Sequence, residues 1–212
     1  MPPLRSVFLF MAAALALNVT PGPDMLYVAA RSTSEGRAAG VASAFGIGAG
    51  TLVHIALVAA GLAALLRTIP AAYLAVKVAG GIYLISLGIR AWRRPNAATA
   101  LDALHAPPPA PLWAVFRQGV ITNVLNPKVA LFFVAFLPQF IAPARGSAAL
   151  QVVALGALFD VQGTVVNLVV ALVASRAAAH LIAHGRARRM FERGTGVVFI
   201  GLGARLLASG AK

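Results

Sequence analysis

Long apolar segments separated by short polar loops restrict the fold of this chain more than any other feature. The hydrocarbon core of a bilayer is about 30 Å thick, and a helix needs about 20 mostly apolar residues to cross it. Six segments are predicted to cross: Val7–Ala30, Gly40–Leu66, Ala71–Trp92, Val115–Phe140, Ala149–Ser175 and Gly194–Ser209. We therefore predict an all-α membrane protein with six transmembrane helices, surrounded by the lipid bilayer.

Composition supports a membrane location. Hydrophobic residues make up 60% of the 212-residue chain and charged residues only 11%, whereas a soluble domain carries roughly 25% charged residues. The net charge of +13 does not indicate a nucleic-acid partner, because the basic residues cluster between the apolar segments and no nucleic-acid-binding fold is recognisable. The absence of cysteine excludes disulfides, thiol catalysis and cysteine metal sites.

The loops are short, apart from a Pro- and Ala-rich connector at 93–111 that is predicted to be exposed. No segment is long enough for a soluble domain, so we predict a single transmembrane domain over 1–212. A cleaved signal peptide with the A-x-A triplet Ala14–Ala16 is the alternative for the N-terminus. It is disfavoured because the hydrophobicity resumes through Met25–Ala30.

Basic residues predict the orientation of the chain in the membrane. The loops after the first, third and fifth segments carry eleven arginines, whereas the opposite side carries five basic residues. Because loops rich in Lys and Arg stay in the cytoplasm, both termini are predicted to lie on the outer side.

The two halves of the sequence resemble each other in order. GTLVH (Gly50–His54) matches GTVVN (Gly163–Asn167), and GIYLISLGIR (Gly81–Arg90) matches GVVFIGLGAR (Gly196–Arg205). Three segments per unit is an odd number, so the two copies must have opposite topology, and we predict an inverted three-plus-three repeat. Its parts are a first unit at about 7–92, a connector at 93–114 and a second unit at about 115–209.

Prolines interrupt the first and fourth segments at matching places, within NVTPGPD (Asn18–Asp24) and NVLNPK (Asn123–Lys128). Proline lacks a backbone donor and breaks helices. A broken helix inside a membrane leaves N–H and C=O groups that can receive a polar solute. Paired broken helices in inverted repeats are typical of transporters and indicate the binding site, whereas a simple proline kink is the alternative for one break taken alone.

Charged and polar residues inside the apolar segments are candidates for a site. An isolated charge is costly there, so we expect Lys128 to lie near Asp24 or Asp160. A structural ion pair is the alternative, although buried pairs stabilise poorly. His54 is either a proton relay or a hydrogen-bonded core residue. The remaining candidates, for solute binding or for interhelical hydrogen bonds, are Asn18, Asn123, Asn126, Gln162 and Asn167.

Enzymatic signatures are missing from the sequence. It contains no zinc-protease, nucleotide-binding or serine-nucleophile motif, so we predict no catalytic residue, no cofactor and no metal site. Uphill transport then has to draw on an ion gradient. The glycines, among them Gly46, Gly48 and Gly50, are predicted to allow close helix packing and receive no chemical role.

TPGPD in the first segment, NPK after an asparagine in the fourth, and six short-looped segments resemble the lysine-exporter / homoserine–threonine-resistance (LysE/RhtB) family over essentially the whole chain. The resemblance implies a multi-pass protein of the bacterial inner membrane that exports amino acids with the proton-motive force. The motif positions that it implies are Thr20, Pro21, Gly22, Pro23, Asp24, Asn123, Asn126, Pro127 and Lys128.

Family members export basic or neutral amino acids. Few intramembrane carboxylates are available here to neutralise a second positive charge, which favours a neutral substrate. We expect alternating access, with Asp24 or Asp160 binding the substrate's ammonium and one aspartate carrying the proton, while Lys128 and helix N-termini bind its carboxylate. A basic amino acid, a metal ion, another small solute or a non-transporting scaffold are the alternatives. The sequence leaves open the role of each aspartate and a homo-oligomer.

Overall fold

The computed structural model of the protein describes residues 2–68 and 110–183, together with isolated positions in the third and sixth predicted segments. Regular structure within these ranges is entirely helical. The elements are α1 (Leu4–Val19), α2 (Pro23–Glu35), α3 (Arg37–Thr68), α4 (Leu112–Val124), α5 (Pro127–Leu131), a π-helical turn (Phe132–Phe136), two 3₁₀ turns (Leu137–Phe140 and Pro143–Arg145) and α6 (Ala148–Ala183).

Candidate membrane spans occur where the first, second, fourth and fifth segments were predicted. Helices α3 and α6 are each long and apolar enough to cross a membrane. Two bent pairs also qualify as single spans: α1 with α2, at 49°, and α4 with Pro127–Phe140, at 46°. The third and sixth predicted segments, with their matching sequences and most of the connector, lie outside the described residues.

The fifth predicted segment differs from the structure in length, and the fourth differs in regularity. The apolar part of α6, Ala148–Ala174, agrees with the fifth predicted segment, but the helix continues to Ala183 because the alanine-rich stretch that follows favours helix. The fourth segment is not regular after its break. It changes from α-helix to a π-helical turn and then to a 3₁₀ turn containing Pro138, which cannot donate a helical hydrogen bond.

Aromatic side chains form the centre of the core. Phe10 of α1, Phe132 after the second break and Phe159 of α6 are all buried. The ring centroid of Phe132 lies 5.7 Å from that of Phe10 and 4.9 Å from that of Phe159. Large buried rings contribute strongly to packing. This cluster therefore holds the chain that follows the second break against both α1 and α6.

Glycines bring α3 close to α4, as predicted. A Cβ atom at Gly46 would lie 2.2 Å from the carbonyl oxygen of Phe116, and one at Gly50 would lie 2.8 Å from the Cβ atom of Asn123. No larger residue fits at these positions without moving the helices, and small residues are typical of such close membrane-helix contacts. The predicted packing role is confirmed for both glycines.

A tight turn joins α2 to α3. Gly36 has a φ of 89° and a ψ of 177°, a positive-φ conformation that glycine adopts without the steric cost that other residues meet. Just before it, Glu35 forms an ion pair with Arg31 and accepts a 3.0 Å hydrogen bond from the backbone N–H of Ala110. The end of α2 is thereby attached to the chain that leads into α4.

Candidate functional site

The first break lies between α1 and α2. Thr20 and Gly22 each precede a proline, and a residue before proline is driven away from the α conformation. Both are extended, with ψ of 124° at Thr20 and −177° at Gly22. Pro23 then occupies the start of α2, where a missing N–H costs nothing. The interruption predicted in NVTPGPD is confirmed.

The second break lies between α4 and α5 and is built in the same way. Asn126 precedes Pro127 and is extended, with ψ of 107°. Its side-chain oxygen accepts a 3.0 Å hydrogen bond from the backbone N–H of Lys128, the bond by which an N-cap residue starts a helix. The interruption predicted in NVLNPK is confirmed as well.

The side chain of Lys128 connects the two breaks. Its Nζ donates to the carbonyl oxygen of Leu17 at 2.9 Å and to that of Thr20 at 2.8 Å. Asp24 lies near enough to interact electrostatically with this ammonium, but within the described ranges Lys128 has no direct ion pair with a carboxylate. Lys128 thus lies near an aspartate, as expected, while its hydrogen bonds go to backbone carbonyls.

Asp24 is held at the start of α2. The side-chain N–H of Asn123 donates to its Oδ2 at 2.9 Å, so the second break also contacts the first through this pair. Asp24 lies in the first turn of α2, where the partial positive charge of the helix N-terminus favours an anion. On the other side of Asn123, Thr51 of α3 donates to its Oδ1 at 3.4 Å.

Asp160 is the second carboxylate of the site and lies on the unbroken helix α6. Gly48 of α3 faces it, since a Cβ atom there would lie 3.3 Å from Asp160 Oδ1 and 2.8 Å from Thr164 Oγ1. The neighbouring Asn18, from the end of α1, donates to the backbone oxygen of Phe159 at 3.3 Å. The first break, α3 and α6 therefore meet around this carboxylate.

The two aspartates line one polar cavity. Its volume is about 20 Å³, which is room for water but not for an amino acid. Polar side chains from α1, α3, α4 and α6 contribute the rest of its polar lining: Asn18, Thr51, Asn123, Thr164 and Asn167. The arrangement joins both breaks to the two long unbroken helices at one point inside the bundle.

Nine of the predicted site residues do not line the cavity, among them His54, Gln162 and Thr20. His54 is buried, with Nε2 at 3.1 Å from the carbonyl oxygen of Asn123, and this hydrogen bond fits the core alternative. Gln162 donates weakly to the carbonyl oxygen of Met11, at 3.4 Å. The hydroxyl of Thr20 donates to the carbonyl oxygen of Ala16 within its own helix. Pro21, Pro23 and Pro127 act through the backbone.

Thr51 and Thr164 were not among the predicted site residues. Both line the cavity, and they occupy the same position in the matching sequences GTLVH and GTVVN. The two matching threonines were therefore visible in the sequence. Two hydroxyl residues at equivalent positions of matching sequences, inside apolar segments, are candidates for the same reason as the paired breaks.

The chemistry of the cavity is acidic. It has two carboxylates together with amide and hydroxyl groups, and no cationic side chain contributes to the lining formed by the described residues. Such a site can bind a cation or a proton. The described part of the chain contains no group of three or more His, Cys, Asp or Glu residues that could hold a metal ion.

Fold and site together define a multi-pass helical membrane protein with a polar cavity between interrupted spans, the architecture of a solute carrier. The sequence profile of the LysE type translocator family matches residues 15–210. The chain belongs to this family.

Similar proteins come from several bacteria. An uncharacterised membrane protein of Pseudomonas aeruginosa is 31% identical over 207 residues, covering 93% of this chain and 92% of the relative. The homoserine/homoserine lactone efflux protein of Salmonella typhimurium is 33% identical over 202 residues, covering 95% of each. The leucine efflux protein of Salmonella choleraesuis is 30% identical over 132 residues, 62% of this chain and 61% of the relative. No solved structure matches the chain significantly.

Proposed function

We propose that this protein exports an amino acid across the inner membrane of a bacterium and catalyses no covalent reaction. The observation that carries this proposal is the acidic cavity between two broken spans, with Asp24 and Asp160 in its wall, in a chain of the LysE type translocator family. The names of two relatives, a homoserine/homoserine lactone efflux protein and a leucine efflux protein, support an amino acid as the substrate.

The proposed architecture is one domain over 1–212 with six spans and an inverted repeat. Equivalent contacts on the two sides of the site support it. Gly50 packs against Asn123, the asparagine before the second break, while a Cβ atom at Gly163 would lie 3.0 Å from Oδ1 of Asn18, before the first. The glycine of each GT sequence thus packs against the break asparagine of the other half.

In the proposed transport cycle, the two carboxylates are neutralised by different cations. The substrate's ammonium binds one aspartate on the outward half of the cycle, and a proton taken up from outside binds the other on the return half, so that inward proton movement drives export. The substrate's carboxylate is received by the amides of the cavity and by the partial positive charge at the N-terminus of α2. Because the cavity of about 20 Å³ is too small for an amino acid, binding requires α3 and α6 to separate from the breaks.

A neutral amino acid is the proposed substrate, since its single ammonium pairs with one carboxylate and leaves the other to carry the counter-moving proton. One observation favours a basic amino acid as the second candidate. The ammonium of Lys128 is held by backbone carbonyls, so both Asp24 and Asp160 are available to a substrate with two positive charges. The two candidates differ in whether each export step is coupled to a proton that moves inward.

Release from vesicles tests the function. Liposomes containing the protein and loaded with a mixture of neutral and basic amino acids are expected to lose a neutral one faster than protein-free liposomes. An inwardly directed proton gradient should accelerate the release. Selective release of lysine or arginine without a proton gradient would favour the second candidate. Equal retention of every amino acid in both preparations would contradict an exporter.

The orientation has its own test in this cysteine-free chain. Cysteines introduced singly at Arg93 or Arg188 are expected to resist an impermeant thiol reagent in intact cells, because the positive-inside rule places these loops in the cytoplasm. A cysteine at Lys212 should react. Permeabilised cells, in which all three must react, provide the control. Labelling at Arg93 in intact cells would contradict the proposed orientation.

A further inference from the structure

The end of α1 presents backbone oxygens that the helix itself cannot pair. The last carbonyl groups of any helix lack N–H partners, and together they carry a partial negative charge. At the first break the chain is extended immediately after α1, so the carbonyl of Thr20 has no helical partner, and that of Leu17 accepts only a 3.1 Å hydrogen bond from the backbone N–H of Thr20 and can accept another. Carbonyls at the C-terminal ends of broken helices are where ion-coupled carriers of similar design hold a metal cation.

In this chain a side chain from the other break supplies the cation. The ammonium of Lys128 receives both oxygens, Leu17 O at 2.9 Å and Thr20 O at 2.8 Å. Its approach depends on Gly22, because a Cβ atom at that position would lie 3.1 Å from Nζ and 3.5 Å from Cε. Lys128 does not line the acidic cavity, so its ammonium holds the break directly and reaches the cavity only through its electrostatic interaction with Asp24.

We propose that Lys128 is a tethered cation, which fills a cation site at the first break and keeps that break in its unwound form. It is a positioning residue: it fixes the carbonyls after α1 and, through them, the start of α2 that carries Asp24. The proposal rests on the proposed function. It assigns Lys128 to the first break and leaves the aspartates to bind substrate and proton.

The consequence is that removing the side chain should expose a site for a free cation. In Lys128→Ala the oxygens of Leu17 and Thr20 lose the charged donor that they share, and we expect amino-acid exchange to fall about tenfold or more, as is typical when a hydrogen-bonded charge is removed from a buried site. Methylammonium or sodium ions should restore a several-fold part of the loss, because either can occupy the space beside the carbonyls. The wild-type protein should not respond to these ions.

The experiment measures exchange of labelled for unlabelled amino acid in proteoliposomes at equal pH on both sides, so that an amine cannot act by collapsing a proton gradient. Lys128→Met is the matched control, since it fills the same space without a charge and should stay inactive in every salt. Recovery of Lys128→Ala by methylammonium or sodium, but not of Lys128→Met, is the expected result. Wild-type exchange in Lys128→Met, or an inserted Lys128→Ala that no cation restores, would overturn the proposal.

A second variant covers the case in which Lys128→Ala does not insert. Gly22→Val keeps the lysine but places a branched side chain against its ammonium, since a Cβ atom there already lies 3.1 Å from Nζ; it should insert normally and lower exchange, whereas an unchanged rate would overturn the proposal. If the wild-type protein exchanges no amino acid at all, the proposed function fails by itself. The role of Lys128 is then tested by thermal unfolding in detergent. Methylammonium should raise the unfolding midpoint of Lys128→Ala and leave that of the wild-type protein unchanged.

Discussion

Replacing Asp24 with Asn is expected to reduce proton-driven export to the background of empty vesicles while the protein inserts at normal levels. The change keeps the shape of the side chain and an oxygen that can accept the hydrogen bond from Asn123, so the first turn of α2 should persist. It removes one of the two negative charges of the cavity. Losing one charged hydrogen bond to the substrate lowers affinity about 10- to 100-fold, and export should fall at least as far.

Control variants test whether the loss of export is specific to the carboxylates of the cavity. Glu35→Gln removes a carboxylate that is paired with Arg31 at the far end of α2, outside the cavity, and should leave export nearly unchanged. Asp160→Asn is expected to abolish the response to a proton gradient as well, since both carboxylates must be neutralised in each cycle. Wild-type export by the double variant Asp24→Asn/Asp160→Asn would show that neither carboxylate binds substrate or proton.

Replacing Gly46 with Ala is expected to destabilise the folded protein more than any other single-methyl addition on α3. The new Cβ atom would lie 2.2 Å from the carbonyl oxygen of Phe116 and 3.0 Å from its carbonyl carbon. These are backbone atoms that cannot rotate away, so α3 and α4 must separate. Overpacking of this kind costs about 1–3 kcal/mol in free energy of unfolding, and occasionally more. The measurement is the thermal unfolding midpoint of the purified protein in detergent.

Gly61→Ala is the matched control, because it adds the same methyl group to the same helix. No described atom lies within 4 Å of a Cβ atom at Gly61, and alanine is favoured over glycine inside a helix by about 0.5–1 kcal/mol. Its unfolding midpoint should therefore be equal to the wild-type value or slightly higher. Equal midpoints for Gly46→Ala and Gly61→Ala would mean that α3 and α4 are not in the close contact described here.

Local chemistry explains why much of the site could be predicted from the sequence. The breaks at Thr20–Gly22 and Leu125–Asn126 follow from proline, which acts on its own residue and on the one before it. The candidate spans of the described residues follow from hydrophobicity and length, which need no knowledge of neighbours. Asp24 and Asp160 were predicted as site residues because a carboxylate in an apolar segment is energetically costly however the helix packs.

The partners of the polar side chains were decided by the tertiary structure alone. The sequence suggested that Lys128 lies near an aspartate, but its hydrogen-bond partners depend on which acceptors lie within reach, and packing brings the carbonyls of Leu17 and Thr20 there. For the same reason the backbone of Asn123 meets His54, while α3 and α6 turn Thr51 and Thr164 toward the cavity. A helix of evenly apolar residues gives little sign of which face turns inward, and only the contact between helices selects it.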